Sequence, residues 1–238
     1  MNPQGKSPFL FIGDHAGNVI PSRLGDLGLP LAERTRHIAW DIGVGGLGVL
    51  MAQALDATFI RQTYSRLVID CNRRPEADDA MPPVSDRTIV PGNADLSPDD
   101  RAGRVAAIFD PYHRTIADEI ARRSAAGRPP IVVSLHSFTP ALSRDGVARP
   151  WQIGVLHDAG NAAFARDLVT GLARDRDLMV GDNEPYRMDT IDYTVPRHCY
   201  PAGLAYAELE IRQDLLGDDA GQRWWADRLA RELVLVAG

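Results

Sequence analysis

Three stretches of this 238-residue chain drive an apolar run into groups that bind metals or move protons. "FLFIGDHAGN" carries Phe9 to Ile12 into Asp14, His15 and Asn18, and "IVVSLHSFTP" carries Ile131 to Leu135 into His136. "AYAELEIRQD" alternates, with Glu208, Glu210 and Arg212 on one side and Ala207, Leu209 and Ile211 on the other. Two imidazoles from separate segments plus one carboxylate would make an open zinc site, because catalytic zinc takes three protein ligands and keeps a fourth position for water. A further carboxylate would then be needed as general base. The competing explanations are structural: histidines satisfied inside a core, and an edge strand whose charged face is solvated.

Other chemistries lack their signatures. The chain has no H-E-x-x-H helix, no G-x-S-x-G elbow, no Walker A loop and no G-x-G-x-x-G turn. The glycines of "GVGGLG" follow Asp41 rather than a convincing strand. "YSRLVIDCNRR" sets Arg66, Arg73 and Arg74 around a strand-like run, with Asp70 and Asn72 between them. Guanidinium forks grip carboxylates in bidentate fashion, so an Asn72-Arg73 pair at a strand exit suits a substrate carboxylate. Pairing with Asp70 or Glu76 is the alternative use of the same arginines.

Composition narrows the partners. A net charge of −6 argues against nucleic acid, whose phosphates need a basic surface, but leaves room for small anions held by a few arginines. Two cysteines, Cys71 and Cys199, are too few for a disulfide framework or a thiolate zinc site and fit a reducing compartment. The short apolar run near the start leads into Asp and His without a cleavage-type region. No run approaches the roughly 20 residues of a membrane span. The expectation is a cytoplasmic protein acting on a small molecule, of undetermined oligomeric state.

Elements must bring those residues together. Strands are expected at Phe9–Ile12, Thr58–Gln62, Leu67–Asp70, Ile131–His136, Gln152–Leu156, Leu178–Val180 and Ala205–Ile211. Helices are expected from Asp41, from Ser97 to about Ala126 with stress at Pro111, from Asn161 to Asp175, and from Gln222 to Val236. Ser97-Pro98-Asp99-Asp100 supplies a cap, a Pro at the first position and acids in the first turn. The polar segment 73–98 reads as a long loop, a length usually tied to function or disorder. Alternating strands and helices without a linker predict one domain, 1–238, built as an α/β sandwich around a mostly parallel sheet. In such sheets ligands sit beyond the carboxyl ends of the strands, which is where His15 and His136 fall.

Six blocks in chain order carry a resemblance: "DHAGNVIP" (14–21), "YSRLVIDCNRRP" (64–75), "DPYH" (110–113), "LHSFTP" (135–140), "GDNEPY" (181–186) and "EIRQDLL" (210–216). Together they resemble the N-formylglutamate amidohydrolase family, over nearly the whole chain. "HAGNVIP" and "EIRQDL" set the chain nearer the broader group of formylglutamate amidohydrolase-like proteins. The resemblance implies a three-layer α/β/α fold of the phosphorylase/hydrolase kind with a mixed sheet, similar to zinc carboxypeptidases. It implies metal-dependent hydrolysis of an N-acyl amino acid, N-formyl-L-glutamate giving formate and glutamate. His15 and His136 would be metal ligands for zinc or another divalent ion. The carboxypeptidase relatives place a glutamate three residues after the first histidine, whereas this chain has Asn18, so the third ligand would be Asp41, with Asp14 as fallback. Glu210 matches the catalytic glutamate. Asn72 and Arg73 match a pair that holds the substrate carboxylate, with Arg66 and Arg212 as further cations and His113 and His198 lining the cleft. Two other activities stay open: a non-catalytic binder of small acidic ligands on the same fold, and a carboxypeptidase-like peptidase.

Overall fold

The computed structural model describes residues 2–141 and 146–238. In chain order its strands are β1 (Phe9–Gly13), β2 (Thr58–Arg61), β3 (Val84–Ser85), β4 (Thr88–Ile89), β5 (Ile131–Phe138), β6 (Ile153–Leu156), β7 (Val180–Asp182) and β8 (Tyr206–Arg212). The α-helices are α1 (Leu31–Arg34), α2 (Val44–Leu55), α3 (Pro98–Arg104), α4 (Asp110–Ala125), α5 (Ala163–Leu172), α6 (Thr194–Cys199) and α7 (Asp219–Ala237). β3 and β4 form a small antiparallel ribbon; the other six strands make one sheet in the order β2-β1-β5-β8-β6-β7. Every pairing in that sheet is parallel except β6 with β8. A mixed, mostly parallel sheet is therefore what the chain builds.

Side-chain alternation explains the layers. Phe9 and Phe11 of β1, Val133 and Leu135 of β5, and Ala207, Leu209 and Ile211 of β8 enter one core with α2, α5 and α7. Leu10 and Ile12, Val132, and Tyr206 point the other way into a second core with α4 and α6. Helices thus cover both faces, the arrangement that buried parallel strands require. Ser134, His136, Glu208 and Glu210 share the second face, at the end of the sheet where that core gives out. The chain leaves β1 toward β2 on one side and later adds β5 on the other. β1 and β5 therefore flank a topological switch point, and their carboxyl ends open a crevice.

One expectation about elements needs correction. Leu67–Asp70 is not a strand. Leu67, Val68 and Ile69 are buried in the second core, but side chains take the carbonyls of the first two: Asn93 Nδ2 donates to Leu67 O at 2.8 Å and Arg104 Nη1 to Val68 O at 2.9 Å. Backbone groups satisfied in this way need no ladder. Of the two readings of the charged β8, the structure excludes the solvated edge: β8 lies fourth of six, and Glu208 and Glu210 line a cleft. The predicted helix start holds, with Ser97 and Asp100 forming a reciprocal capping box. Stress at Pro111 is absorbed by a π-helical turn over Val105–Phe109 between α3 and α4. No described helix is long and apolar enough to cross a membrane.

The contact between α2 and β2 sets the sign of one substitution. Ala normally gains about 1 kcal/mol over Gly inside a helix. A Cβ at Gly48, however, would fall 2.3 Å from the Phe59 ring, which is fully buried. Gly48→Ala should therefore destabilise the protein by about 1–3 kcal/mol in urea unfolding. A gain in stability would show that α2 is less tightly seated than described.

Candidate metal centre

β1 ends at Gly13, and the next two residues place His15 over the crevice. His136 is the sixth residue of β5 and faces the same opening. Asp41 arrives from the loop before α2, where its N–H donates to His15 O at 2.9 Å and fixes it beside the strand end. Nitrogen or oxygen atoms of His15, Asp41 and His136 lie within 4.8 Å of one another, in a cluster that is entirely buried. The two rings meet edge to face with centroids 5.1 Å apart. Nδ1 of His136 is 2.9 Å from Asp41 Oδ2, and Nδ1 of His15 is 3.3 Å from the same oxygen.

The far nitrogen of each ring is held from behind. His15 Nε2 lies 2.6 Å from Asp70 Oδ1. Asp70 Oδ2 in turn accepts from Arg66 Nε at 3.0 Å and Nη2 at 2.6 Å. His136 Nε2 is 3.1 Å from Ser134 Oγ and 3.4 Å from Asp14 Oδ2, the latter an ion-pair contact rather than an aligned hydrogen bond. Asp14 Oδ1 is fixed by the Thr194 hydroxyl at 2.8 Å. Carboxylates behind imidazoles that turn their other nitrogen to a shared point are the usual second layer of a metal site. The donor set, two imidazoles and a carboxylate with mixed N and O character, fits a divalent ion such as zinc. Asp14 stands behind His136 and not in the cluster. Asn18 donates to Arg34 O at 3.0 Å and also stays outside it.

Buried charge sets the proton affinities. Burial opposes ionisation of Asp14, Asp41 and Asp70, yet neighbouring imidazoles, and for Asp70 chiefly the Arg66 guanidinium, hold all three below the usual carboxylate range. Burial also opposes the imidazolium form of His136, but Asp14 and Asp41 hold it well above the ordinary value. His15 is raised against both burial and Arg66 by Asp70 and Asp41. Glu210 behaves differently. It pairs in register with His136 across β5 and β8, is 8% exposed, and its Oε2 has no hydrogen-bond partner. Burial pushes its carboxyl up to about 7, with His136 opposing. A carboxyl poised near neutrality beside a metal-type cluster can act as a proton carrier.

These groups open onto a cleft of about 450 Å³. Its far wall is the loop carrying Pro185 and Tyr186. Gly154 of β6, opposite Glu210, permits that wall, since a Cβ there would fall 2.0 Å from Glu184 O. Arg66, Asn72 and Arg73 reach the cleft, each already engaged. Arg66 braces Asp70 and lies 3.6 Å from Asp41. Asn72 Oδ1 accepts from the N–H groups of Tyr193 and Thr194 at 3.0 and 2.9 Å, tying down the start of α6. Arg73 pairs at 2.9 Å with Asp79, a half-exposed partner that a ligand can displace at small cost.

Three expected binding residues are placed elsewhere. Arg212 leaves the β8 face at the strand end and pairs with Asp214 at 2.8 Å, outside the cleft lining. His113 and His198 form a stacked pair, Nδ1 to Nε2 at 2.9 Å, with His113 Nε2 on Cys71 O at 2.9 Å. Burial lowers both, His198 to about 4, so they act as neutral internal braces. Sequence reasoning treated Asp70 only as a partner for arginines, and missed Ser134 and Thr194. The polar end of the apolar run 67–69 was the available signal for Asp70.

Without metal, this cluster should make stability depend on pH with a definite sign. Asp14, Asp41 and Asp70, lowered in the fold, contribute stability that is present above about pH 4 and lost below it. Glu210, Glu208, His15 and His136, raised in the fold, contribute stability that is lost as pH climbs from their unfolded values, about 4.3 and 6.5, toward their folded ones. Urea unfolding with a chelator present should show the protein more stable at pH 5.5 than at pH 8 by about 2–4 kcal/mol. A midpoint that is flat or rises over that interval would contradict these environments.

Comparison with known proteins agrees with this fold. The sequence model of the N-formylglutamate amidohydrolase family matches residues 7–217. The crystal structure of a gene product from Agrobacterium tumefaciens is 36% identical, covers 100% of this chain and 93% of its own, and superposes with a TM-score of 0.95. The structure of N-formylglutamate amidohydrolase from Ralstonia eutropha is 20% identical, covers 97% of this chain and 91% of its own, has a TM-score of 0.64, and shows the shared fold. A search of curated proteins gives no significant match. On the extent of the family match, this chain belongs to the N-formylglutamate amidohydrolase family.

Proposed function

We propose that the protein hydrolyses the amide of a small N-acyl amino acid with the help of a divalent ion held by His15, Asp41 and His136. N-formyl-L-glutamate is the first substrate to test. One observation carries this reading: a buried two-histidine, one-carboxylate cluster faces a cleft with a near-neutral glutamate in register beside it. Bound there, zinc or a similar ion supplies Lewis-acid polarisation of the amide carbonyl and of water. Glu210 takes a proton from the attacking water as oxygen adds to the acyl carbon. It returns that proton to the departing nitrogen as the C–N bond breaks, so a carboxylic acid and a free amine leave. Asp70 and Asp14 keep His15 and His136 turned inward throughout. Arg73 holds the substrate carboxylate after giving up Asp79, and Asn72 positions it by fixing the adjoining chain.

Glu210→Gln should retain about one equivalent of bound divalent metal while kcat falls by about 10²–10⁴-fold. An unchanged rate removes Glu210 from this role. A chelator should abolish turnover of the unaltered protein, and added zinc should restore it; full activity in metal-stripped protein would refute the metal requirement.

A further inference from the structure

Three guanidinium groups line the cleft among the described residues, and the reaction reading accounts for two of them. Arg66 is held on Asp70, and Arg73 pairs with Asp79 until a substrate carboxylate replaces it. Arg187 is the third; it is exposed, and no acid is paired with it among the described residues. It lies on a segment, Pro185 to Asp192, that runs along the cleft. One end of the segment is pinned beside β6, where Asn183 Oδ1 accepts from the His157 N–H at 2.9 Å and where Gly154 and Gly181 leave room for Glu184 O. The other end is pinned at Asp192, which accepts from Asn72 Nδ2 at 3.2 Å and lies 3.9 Å from Arg73. Both immediate neighbours of Arg187 are fixed as well. The Tyr186 hydroxyl accepts from Arg149 Nη1 at 2.8 Å, beneath a guanidinium 4.8 Å from the ring centroid, and Met188 is buried in the second core. Arg187 therefore has an anchored backbone and an unengaged fork.

An arginine held at a cleft wall without an acid of its own is placed for an anion that enters from outside, and its planar fork suits a carboxylate best. The reaction reading gives the α-carboxylate of the substrate to Arg73. A second carboxylate, carried on the side chain of the amino acid, then has one uncommitted guanidinium to meet. The acids of the same cleft do not oppose it. Burial raises the Glu208 and Asp192 carboxyls, which favours their uncharged forms, and an uncharged carboxyl can donate a hydrogen bond to an anion. Resting on the amide-hydrolysis reading for its choice of substrate, we propose that Arg187 is a specificity-determining residue whose guanidinium grips the side-chain carboxylate of an acidic N-acyl amino acid, while Arg73 holds the α-carboxylate.

The test is calorimetric binding of L-glutamate and L-norvaline to the zinc-loaded protein, alongside turnover of their N-formyl derivatives. Norvaline has a side chain of the same length that ends in a methyl group instead of a carboxylate. L-glutamate should bind about tenfold more tightly, the worth of a charge-assisted pair at a partly wet site. Arg187→Gln should remove most of that preference and raise KM for N-formyl-L-glutamate more than it lowers kcat. Arg187→Lys, which keeps the charge but not the fork, should retain part of the preference. Arg187 is exposed, so neither substitution disturbs the core. Equal affinity for the two amino acids, a preference unchanged in Arg187→Gln, or no measurable binding of L-glutamate overturns the contact. Absence of turnover together with a glutamate preference that Arg187→Gln removes would instead refute the hydrolytic reading and leave the contact standing.

Discussion

The site rests on a single oxygen. Asp41 Oδ2 faces Nδ1 of both His15 and His136, and each ring is clamped from behind by a buried carboxylate. Buried charges persist only when paired and hydrogen-bonded, because leaving water costs several kcal/mol per ion. Here Arg66 neutralises Asp70, Thr194 fixes Asp14, and the imidazoles answer Asp41. Removing any one member leaves another buried charge without its partner. The cluster therefore behaves as a unit, and its geometry is fixed before any ligand arrives.

The fold supplies that geometry from distant parts of the chain. β1 and β5 are neighbours in the sheet although more than a hundred residues separate their histidines, and the switch of direction between them leaves a crevice at their carboxyl ends. β8 beside β5 brings Glu210 level with His136 and Glu208 level with Ser134. The apolar half of each strand sits in a core with α2, α5 and α7, so the polar half has no freedom to slip. Catalytic precision in such a protein follows from register rather than from loop flexibility.

Much of this was legible in the residues. His15 and His136 stood out because apolar runs ended on them, and the alternation of β8 separated its acids from Ala207, Leu209 and Ile211. The position of Asp41 was not legible from spacing, since a backbone hydrogen bond to His15 O, a long-range contact, sets it. The run Leu67–Ile69 looked like a strand because it is buried; Asn93 and Arg104, far along the chain, decide that it is a loop. Three charges on one face of β8 fitted either an edge or a cleft, and only the strand order, with β8 inside the sheet, decides for the cleft. His113 and His198 were indistinguishable from cleft residues by type, and only their mutual packing shows them as braces.

Zinc K-edge X-ray absorption on the loaded protein tests the central arrangement most directly. Two imidazole nitrogens with oxygen donors at about 2.0–2.1 Å, falling to one imidazole in His15→Ala and in His136→Ala, are the expected result. A shell containing sulfur, or a spectrum that neither substitution alters, would show that these histidines do not meet on a common ion.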